Sequence, residues 1–275
     1  MKAFDLIDSA SFGYKTVWQE RKYLLKLAFV PVFIKLACTV IIFAFDFQNN
    51  FLRQALITLP ASFAEGWLLA QFLRTLILLE RWPIMLPEDV SDRHMSALLL
   101  RARGIMSSTI MFVLITLAAY GLKEIYAMFY DMAGAGEATK NAEAPPGNPL
   151  LFIPAMILIF LSIYAFRYLW LYIPVVVLMP MGEFLRKLGG FMASIKMMGV
   201  FLVAMVPCFV LAMVVSTLLT SLVGGPDSDI GRFVMVMVSV VIETLISLIT
   251  TASIVYALRD ILPKHPLALA DINKE

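Results

Sequence analysis

Residues 197–223 read MMGVFLVAMVPCFVLAMVVSTLLTSLV and contain no Asp, Glu, Lys, Arg or His. A helix of about 20 apolar residues crosses the hydrocarbon core of a bilayer, so this stretch is long enough to span a membrane. The whole chain of 275 residues is 61% hydrophobic and only 15% charged, which is far from the composition of a soluble domain. Its apolar runs are continuous rather than alternating, which predicts an all-α helical bundle instead of a β-barrel.

Similar runs predict six transmembrane helices within a single integral membrane domain that covers residues 1–275. An interfacial N-terminal segment, residues 1–23, precedes the spans, and a short tail, residues 259–275, follows them. The first residues lack the basic start and cleavage site of a signal peptide, so we expect the first span to be retained. The predicted spans are 24–46, 52–79, 104–129, 150–179, 197–223 and 232–258.

The distribution of basic residues predicts the orientation of these spans. Lysine and arginine are frequent in the N-terminal segment, in the second and fourth connections and in the tail. The alternate connections hold only Arg53, Lys140 and Arg232. Because basic residues favour the cytoplasmic side, we expect a multi-pass membrane protein with both termini in the cytoplasm.

Basic amphipathic segments precede the first, third and fifth spans, which predicts interfacial helices on the cytoplasmic side. One hypothesis is a collar that binds anionic phospholipid or a membrane-protein partner. The alternative is that these are the ordinary basic flanks of helices that enter a membrane from the cytoplasm. The candidate interfacial residues are Trp18, Arg21, Lys22, Arg101, Arg103, Arg186 and Lys187.

The second predicted span contains two ionisable residues, Glu65 and Arg74. Such groups at membrane depth usually face the interior of a bundle. Ser62, Gly66 and Ala70 form a small-residue face beside Glu65, which favours close approach of another helix. Arg74 follows Glu65 by nine residues and lies about half a turn away around the helix, so the two cannot readily pair. We therefore expect their partners on other helices.

The sixth predicted span carries a polar stripe, because Ser239, Glu243, Ser247 and Thr251 are spaced by four residues. Lys35 in the first span and Arg167 in the fourth are the candidate partners for Glu243 or Glu65. In one interpretation the hydroxyls bond across helix contacts or to their own backbone and only hold helices together. In the other, the stripe lines a polar cavity in which Glu243 or Glu65 binds a cation or carries a proton.

Motifs for catalysis, metal binding or cofactor binding are missing from the sequence. The two histidines, His94 and His265, belong to no His-Glu-x-x-His pattern, and no glycine-rich phosphate loop is visible. The sequence therefore predicts no enzyme activity and no cofactor. The basic residues are dispersed over membrane flanks, which gives no indication of nucleic-acid binding.

Two stretches carry a resemblance to a known family: KTVWQERKYLLKLAFVPVF at residues 15–33, and YIPVVVLMPMGEFLRKLGGFMASIKMMGVFLVAMV at residues 172–206. They resemble the membrane domain attached to some glycerophosphodiester phosphodiesterases, and the stand-alone bacterial inner-membrane proteins similar to that domain. In that family the phosphodiesterase chemistry belongs to a separate soluble domain, so the resemblance implies no catalytic residue here. The resemblance implies a protein of the bacterial cytoplasmic (inner) membrane with a role in lipid or envelope maintenance.

Two functions remain open at this point. The first is an assembly, lipid-contacting or partner-binding component of the membrane, in which the partner is a membrane protein or a second copy of the chain. The alternative is a small-solute or proton-coupled transporter that uses its intramembrane acids.

Overall fold

A computed structural model describes residues 5–45, 47, 51–82, 92–132, 152–222 and 228–263. The regular structure of these residues is helical throughout, without a strand, which confirms the all-α prediction. Residues 1–4 of the predicted interfacial segment and residues 264–275 of the predicted tail lie outside the described ranges. Six described segments are long and apolar enough to cross a membrane, which confirms the six-span prediction.

The helices follow one another along the chain with short turns between several of them. They are α1 Leu6–Gln19, α2 Arg21–Ala44, α3 Phe51–Leu78, α4 Asp92–Met132, α5 Phe152–Ala165, a 3₁₀ helix Phe166–Trp170, α6 Tyr172–Val176, α7 Met181–Leu188, α8 Phe191–Leu222 and α9 Asp229–Ala257.

The fourth span is interrupted, whereas the sequence predicted only a stretch of apolar residues at 150–179. Helix α5 ends at Ala165, a 3₁₀ turn follows, and α6 ends at Val176. The backbone N–H of Leu171 bonds the carbonyl of Tyr168 at 3.2 Å, the tighter spacing that is typical of a 3₁₀ turn. Leu178 then has a φ of 57°, so the chain leaves the helix in the left-handed region and turns towards α7.

Two of the three basic amphipathic segments form separate helices, α1 and α7. Asp5 caps helix α1, because its side-chain carboxylate accepts the backbone N–H groups of Ile7 and Asp8 at 3.0 Å. Helix α7 buries Phe184 and Leu188 completely, so its apolar face contacts the protein core. The third segment is different, because α4 runs without a break from Asp92 into the third span.

The two ends of the bundle differ in how tightly the spans pack. We call the end that carries α1, α7 and the last turn of α9 the termini side, and the opposite end, where α2, α4 and α8 finish, the hairpin side. On α9, Leu258 is fully buried at the termini side and Ile230 is 65% exposed at the hairpin side. On α8, Val200 is fully buried and Leu222 is 80% exposed. Helices α8 and α9 are therefore packed at the termini side and exposed at their hairpin-side ends, and most of the buried core lies on the termini side.

Candidate functional site

Three charged side chains from three spans meet inside the bundle. Lys35 Nζ of α2 lies 3.0 Å from Oε2 of Glu65 in α3 and 3.1 Å from Oε2 of Glu243 in α9. We call Lys35, Glu65 and Glu243 the ion triad. Ser247, one helical turn after Glu243, donates its hydroxyl to Oε1 of Glu65 at 2.6 Å. The sequence predicted Lys35 as a partner of Glu65 or Glu243, and in the structure it pairs with both.

Close helix packing holds Glu65 in place. The next residue, Gly66, faces α4, and a Cβ built there would lie 3.1 Å from the ring of Phe112 and 3.2 Å from the carbonyl oxygen of Thr109. A glycine at this position lets the α3 and α4 backbones approach, which is the use of the small-residue face on α3. Glu65 therefore lies beside a helix contact, with only 12% of its side chain exposed.

The triad has unequal exposure and an unbalanced charge. The side chain of Lys35 is 17% exposed and that of Glu243 is 59% exposed. Two carboxylates face one ammonium, so with all three groups ionised the triad carries one excess negative charge. An uncompensated charge at membrane depth is costly, since the hydrocarbon core supplies no solvation. The excess carboxylate thus requires water, a cation or a proton, and Glu243 is the more accessible of the two acids.

Two cavities meet at the triad. The outer cavity, of about 700 Å³, extends from Lys35 and Glu243 towards Lys123 and is lined by α2, α3 and α4. Its lining on α4 runs from Phe112 to Lys123, which corresponds to a length of about 16 Å along the helix. The aromatic cavity, of about 380 Å³, lies between α4, the 3₁₀ helix, α6, α8 and α9. Both cavities are bordered by Lys35, Phe112 and Glu243.

The hydroxyls of the α9 stripe serve different purposes. Ser247 bonds Glu65 of α3, and Thr251 Oγ1 lies 2.8 Å from the hydroxyl of Tyr172 in α6. Ser239 instead donates to the carbonyl of Val236 in its own helix at 2.9 Å. The two interpretations of the stripe therefore apply to different residues: Thr251 joins helices, Ser239 bonds its own backbone, and Glu243 borders a cavity.

Arg167 does not reach the triad, although it was a candidate partner for its acids. Its Nη1 donates to the carbonyl of Gly189 at 2.6 Å, and its Nη2 donates to the hydroxyls of Tyr164 and Tyr168. The guanidinium carbon also lies 4.1 Å from the ring centroid of Tyr164. Arg167 belongs to the 3₁₀ turn, where the interrupted helix directs it to the link between α7 and α8.

Arg74 has its charge partner, Glu80, in the connection that follows its own helix, and it also contacts another helix, α6, as expected. Glu80 Oε2 lies 2.8 Å from Arg74 Nε and 3.0 Å from Arg101 Nη1. Arg74 Nη1 also donates to the carbonyl of Val176 at 3.0 Å. Arg101, predicted to lie at the headgroup surface, is only 3% exposed because it completes this cluster at the start of α4. Gln71 accepts from Arg101 Nη2 at 3.3 Å.

Sequence reasoning missed Glu80 because it follows the end of the helix pattern. Helix α3 ends at Leu78, and Leu79 has a φ of 55°, which reverses the chain. The Glu80 N–H then bonds the carbonyl of Arg74 at 3.3 Å. A helical projection cannot bring positions 74 and 80 together in this way. The available signal was the lone Glu80 among apolar residues, immediately before Arg81.

The remaining candidate interfacial residues are exposed: Trp18, Arg21, Lys22, Arg103, Arg186 and Lys187. The Arg21 guanidinium carbon lies 4.7 Å from the ring centroid of Trp18, and its Nη1 donates to the Trp18 carbonyl. Lys187 Nζ lies 2.6 Å from Oε1 of Glu183 in the same helix. The hydrogen bond and positive charge of Lys187 lower the pKa of Glu183. These residues lie on the termini side.

The fold and the triad define a multi-pass helical membrane protein with a polar site inside its spans. Within the described ranges, His, Cys, Asp and Glu side chains form no group that could hold a metal ion. No protein family, curated protein or solved structure matches this chain.

Proposed function

We propose that the chain is a small-solute transporter of the bacterial cytoplasmic membrane in which Glu243 exchanges a proton or cation with the outer cavity. The observation that carries this proposal is the position of the ion triad, at the inner end of a cavity of about 700 Å³ between separated spans. A polar site between helices, bordered by an accessible carboxylate, is a common arrangement in membrane transporters. Both termini are proposed to be cytoplasmic, so that the outer cavity faces away from the cytoplasm.

The charge balance of the triad supports a role in binding rather than in packing alone. Lys35 and Glu65 could hold α2 and α3 together as a neutral pair, with Ser247 as an additional donor. Glu243 adds a second carboxylate that such a pair does not need. Because its side chain is 59% exposed, it can exchange a proton or a cation without separation of the packed helices.

The proposed role of Glu243 can be tested by infrared spectroscopy on the full chain in lipid nanodiscs. We expect a pH-dependent C=O band of a protonated carboxyl group that disappears in Glu243→Gln. Glu183→Gln is the matched control, since Glu183 pairs with a lysine but lies in α7, outside the spans. Its spectrum should keep the band. A band that persists unchanged in Glu243→Gln would contradict the proposed function.

A second candidate function is lipid contact and assembly on the termini side, in line with the resemblance to inner-membrane proteins of envelope maintenance. It is favoured by the exposed Trp18, which is 69% accessible and lies under the Arg21 guanidinium. Aromatic and basic residues together are typical of contacts with anionic headgroups. The proposed partners are anionic phospholipid and, in the assembled membrane, another membrane protein or a second copy of this chain.

Native mass spectrometry can test this candidate by counting bound phosphatidylglycerol against phosphatidylcholine. We expect the double variant Arg21→Gln and Lys22→Gln to bind less phosphatidylglycerol than the unaltered chain, with little change in bound phosphatidylcholine. Arg53→Gln serves as the control because Arg53 lies at the start of α3 on the hairpin side. Equal retention of phosphatidylglycerol in all three proteins would contradict a lipid-binding role for these residues.

A further inference from the structure

The aromatic cavity is lined in part by aromatic side chains that do not belong to the ion triad. Five aromatic side chains border it: Phe112 of α4, Phe166 and Trp170 of the 3₁₀ helix, Tyr172 of α6 and Phe201 of α8. The cavity also reaches Glu243. Its volume of about 380 Å³ lies within the range of sites that hold small organic molecules.

The five rings form one connected wall. Phe112 meets Tyr172 edge to face with centroids 5.4 Å apart, and Tyr172 lies 6.2 Å from Trp170. Phe201 lies 6.1 Å from Trp170 and 5.6 Å from Phe166. Such contacts restrain each ring, so the wall is ordered before any ligand enters. Preorganised walls reduce the entropy that binding would otherwise lose.

One polar atom of this wall lacks a partner. Trp170 is 5% exposed, and its indole Nε1 donates no hydrogen bond to any of the described residues. A buried indole N–H normally finds an acceptor, because an unmade hydrogen bond in a dry environment is costly. The hydroxyl of the neighbouring Tyr172 is paired with Thr251, and both polar groups are buried behind the surface of the wall. The wall therefore presents rings, and not hydrogen-bond donors, to a ligand.

The charge at the cavity favours a cation. Lys35 and Glu243 border the cavity, Lys35 is also paired with Glu65, and Glu243 is the member of the triad that is more than half exposed. Aromatic faces attract organic cations through their quadrupole, and the attraction grows when the cation is removed from water. A carboxylate beside an aromatic wall therefore favours a ligand with a positively charged nitrogen and an apolar body.

We propose that the aromatic cavity binds an organic ammonium ion, with its charge near Glu243 and its apolar body against the aromatic wall. This proposal rests on the proposed function in that Glu243 serves both sites. It adds the chemical class of the solute. The five rings come from four separate elements, so the wall joins parts of the chain that are distant in sequence at one carboxylate.

Isothermal titration of the full chain in nanodiscs with benzyltrimethylammonium tests the proposal. Neopentylbenzene is a neutral ligand of nearly the same shape and shows what apolar burial alone contributes. We expect the cation to bind at least tenfold more tightly than the neutral compound. Glu243→Gln should weaken cation binding at least tenfold and leave neopentylbenzene unchanged, because Glu243 contributes charge and not shape.

Two further variants make the result specific. Phe201→Leu should weaken binding of the cation several-fold by removing one ring while keeping an apolar side chain, and Glu183→Gln should bind as the unaltered chain does. Equal affinity for the two compounds, or a cation affinity unaffected by Glu243→Gln, would overturn the proposal. Either of these binding results, obtained in samples that still show the infrared band of Glu243, would reject the organic-cation site and leave the proposed proton exchange intact.

Discussion

Lys35 is the single cation of the ion triad, so its removal leaves two carboxylates facing each other at membrane depth. We expect Lys35→Gln to destabilise the protein by about 3 kcal/mol, the typical cost of breaking a buried ion pair from one side. Glu243→Gln should change the stability by less than about 1 kcal/mol, because the Glu243 side chain is largely exposed. Thermal unfolding in detergent at neutral pH measures both effects.

The double variant Lys35→Gln and Glu65→Gln is the control for charge. It removes one charge of each sign and should recover part of the stability lost in Lys35→Gln. The double variant could instead be even less stable than Lys35→Gln. The loss of stability in Lys35→Gln would then come from lost shape and hydrogen bonding, and not from repulsion between the acids. That outcome would contradict the electrostatic account of the triad.

Sequence reasoning at the residue scale identified the members of the triad but not the choice among their partners. Glu65, Glu243 and Lys35 stand out because each is a lone charge in an apolar run. Whether Lys35 or Arg167 meets the acids depends on how the spans turn against each other, and the 3₁₀ turn directs Arg167 elsewhere. Arg101 was assigned to the surface because a basic residue before a span usually lies there. In the structure the chain turns back at Leu79 and places Glu80 within hydrogen-bond distance of Arg101, inside the protein.

Helix α1 depends on a glycine for its contact with α9. A Cβ added at Gly13 would lie 2.2 Å from Oγ of Ser253 and 2.6 Å from the carbonyl oxygen of Ile249. The backbone atom cannot rotate away, so we expect Gly13→Ala to displace α1 and to destabilise the protein by about 2 kcal/mol. Thermal unfolding provides the measurement.

Gly121→Ala is the matched control for this helix contact. Gly121 also lies inside a helix, α4, but a Cβ built there meets no atom within 4 Å. The control should raise the stability by up to about 1 kcal/mol, since alanine is the better helix former. If Gly13→Ala were equally stabilising, the close packing of α1 on α9 would be excluded.

The spans could be predicted at the scale of elements because length and continuous apolar character define a transmembrane helix from local sequence alone. The predicted second span, 52–79, differs by one residue at each end from α3. The prediction could not show the break in the fourth span, since the aromatic residues of FRYLW fit an apolar helix equally well. The same limit applies to α4, where basic residues suggested a separate interfacial segment that ends at Gly104. The helix continues through this glycine from Asp92 to Met132.

The difference between the tight termini side and the open hairpin side is a property of the whole bundle. It depends on contacts among all spans and is not visible in the pattern of any one of them. Buried residues such as Leu68, Val200 and Leu258 belong to one core on the termini side. The outer cavity begins where this core ends, and for that reason the triad lies at the boundary between packed and separated helices.

Cysteine labelling can distinguish a water-filled outer cavity from a surface that only faces lipid. Thr116 borders the outer cavity. Among the described residues its hydroxyl bonds the Phe112 carbonyl of its own helix, so Thr116→Cys should fold normally. Leu114 is 55% exposed but is not among the residues that border this cavity. In a background in which Cys38 and Cys208 are replaced by alanine, we expect a membrane-impermeant cationic thiosulfonate to label Thr116→Cys. Leu114→Cys should stay unlabelled, because the reagent needs water to reach and ionise the thiol.

The side of the membrane from which labelling occurs tests the orientation at the same time. If both termini are cytoplasmic, Thr116→Cys reacts in intact cells made permeable only in the outer membrane, and it reacts more slowly in inverted vesicles. Faster labelling in inverted vesicles would reverse the orientation while keeping a wet cavity. Equal labelling of Thr116→Cys and Leu114→Cys would mean that the accessibility of a thiol to the reagent does not depend on the outer cavity. Absence of labelling of Thr116→Cys from both sides would mean that the outer cavity holds no water. In that last case Glu243 would have no aqueous route for a proton or a cation, and the ion triad could act only in helix packing.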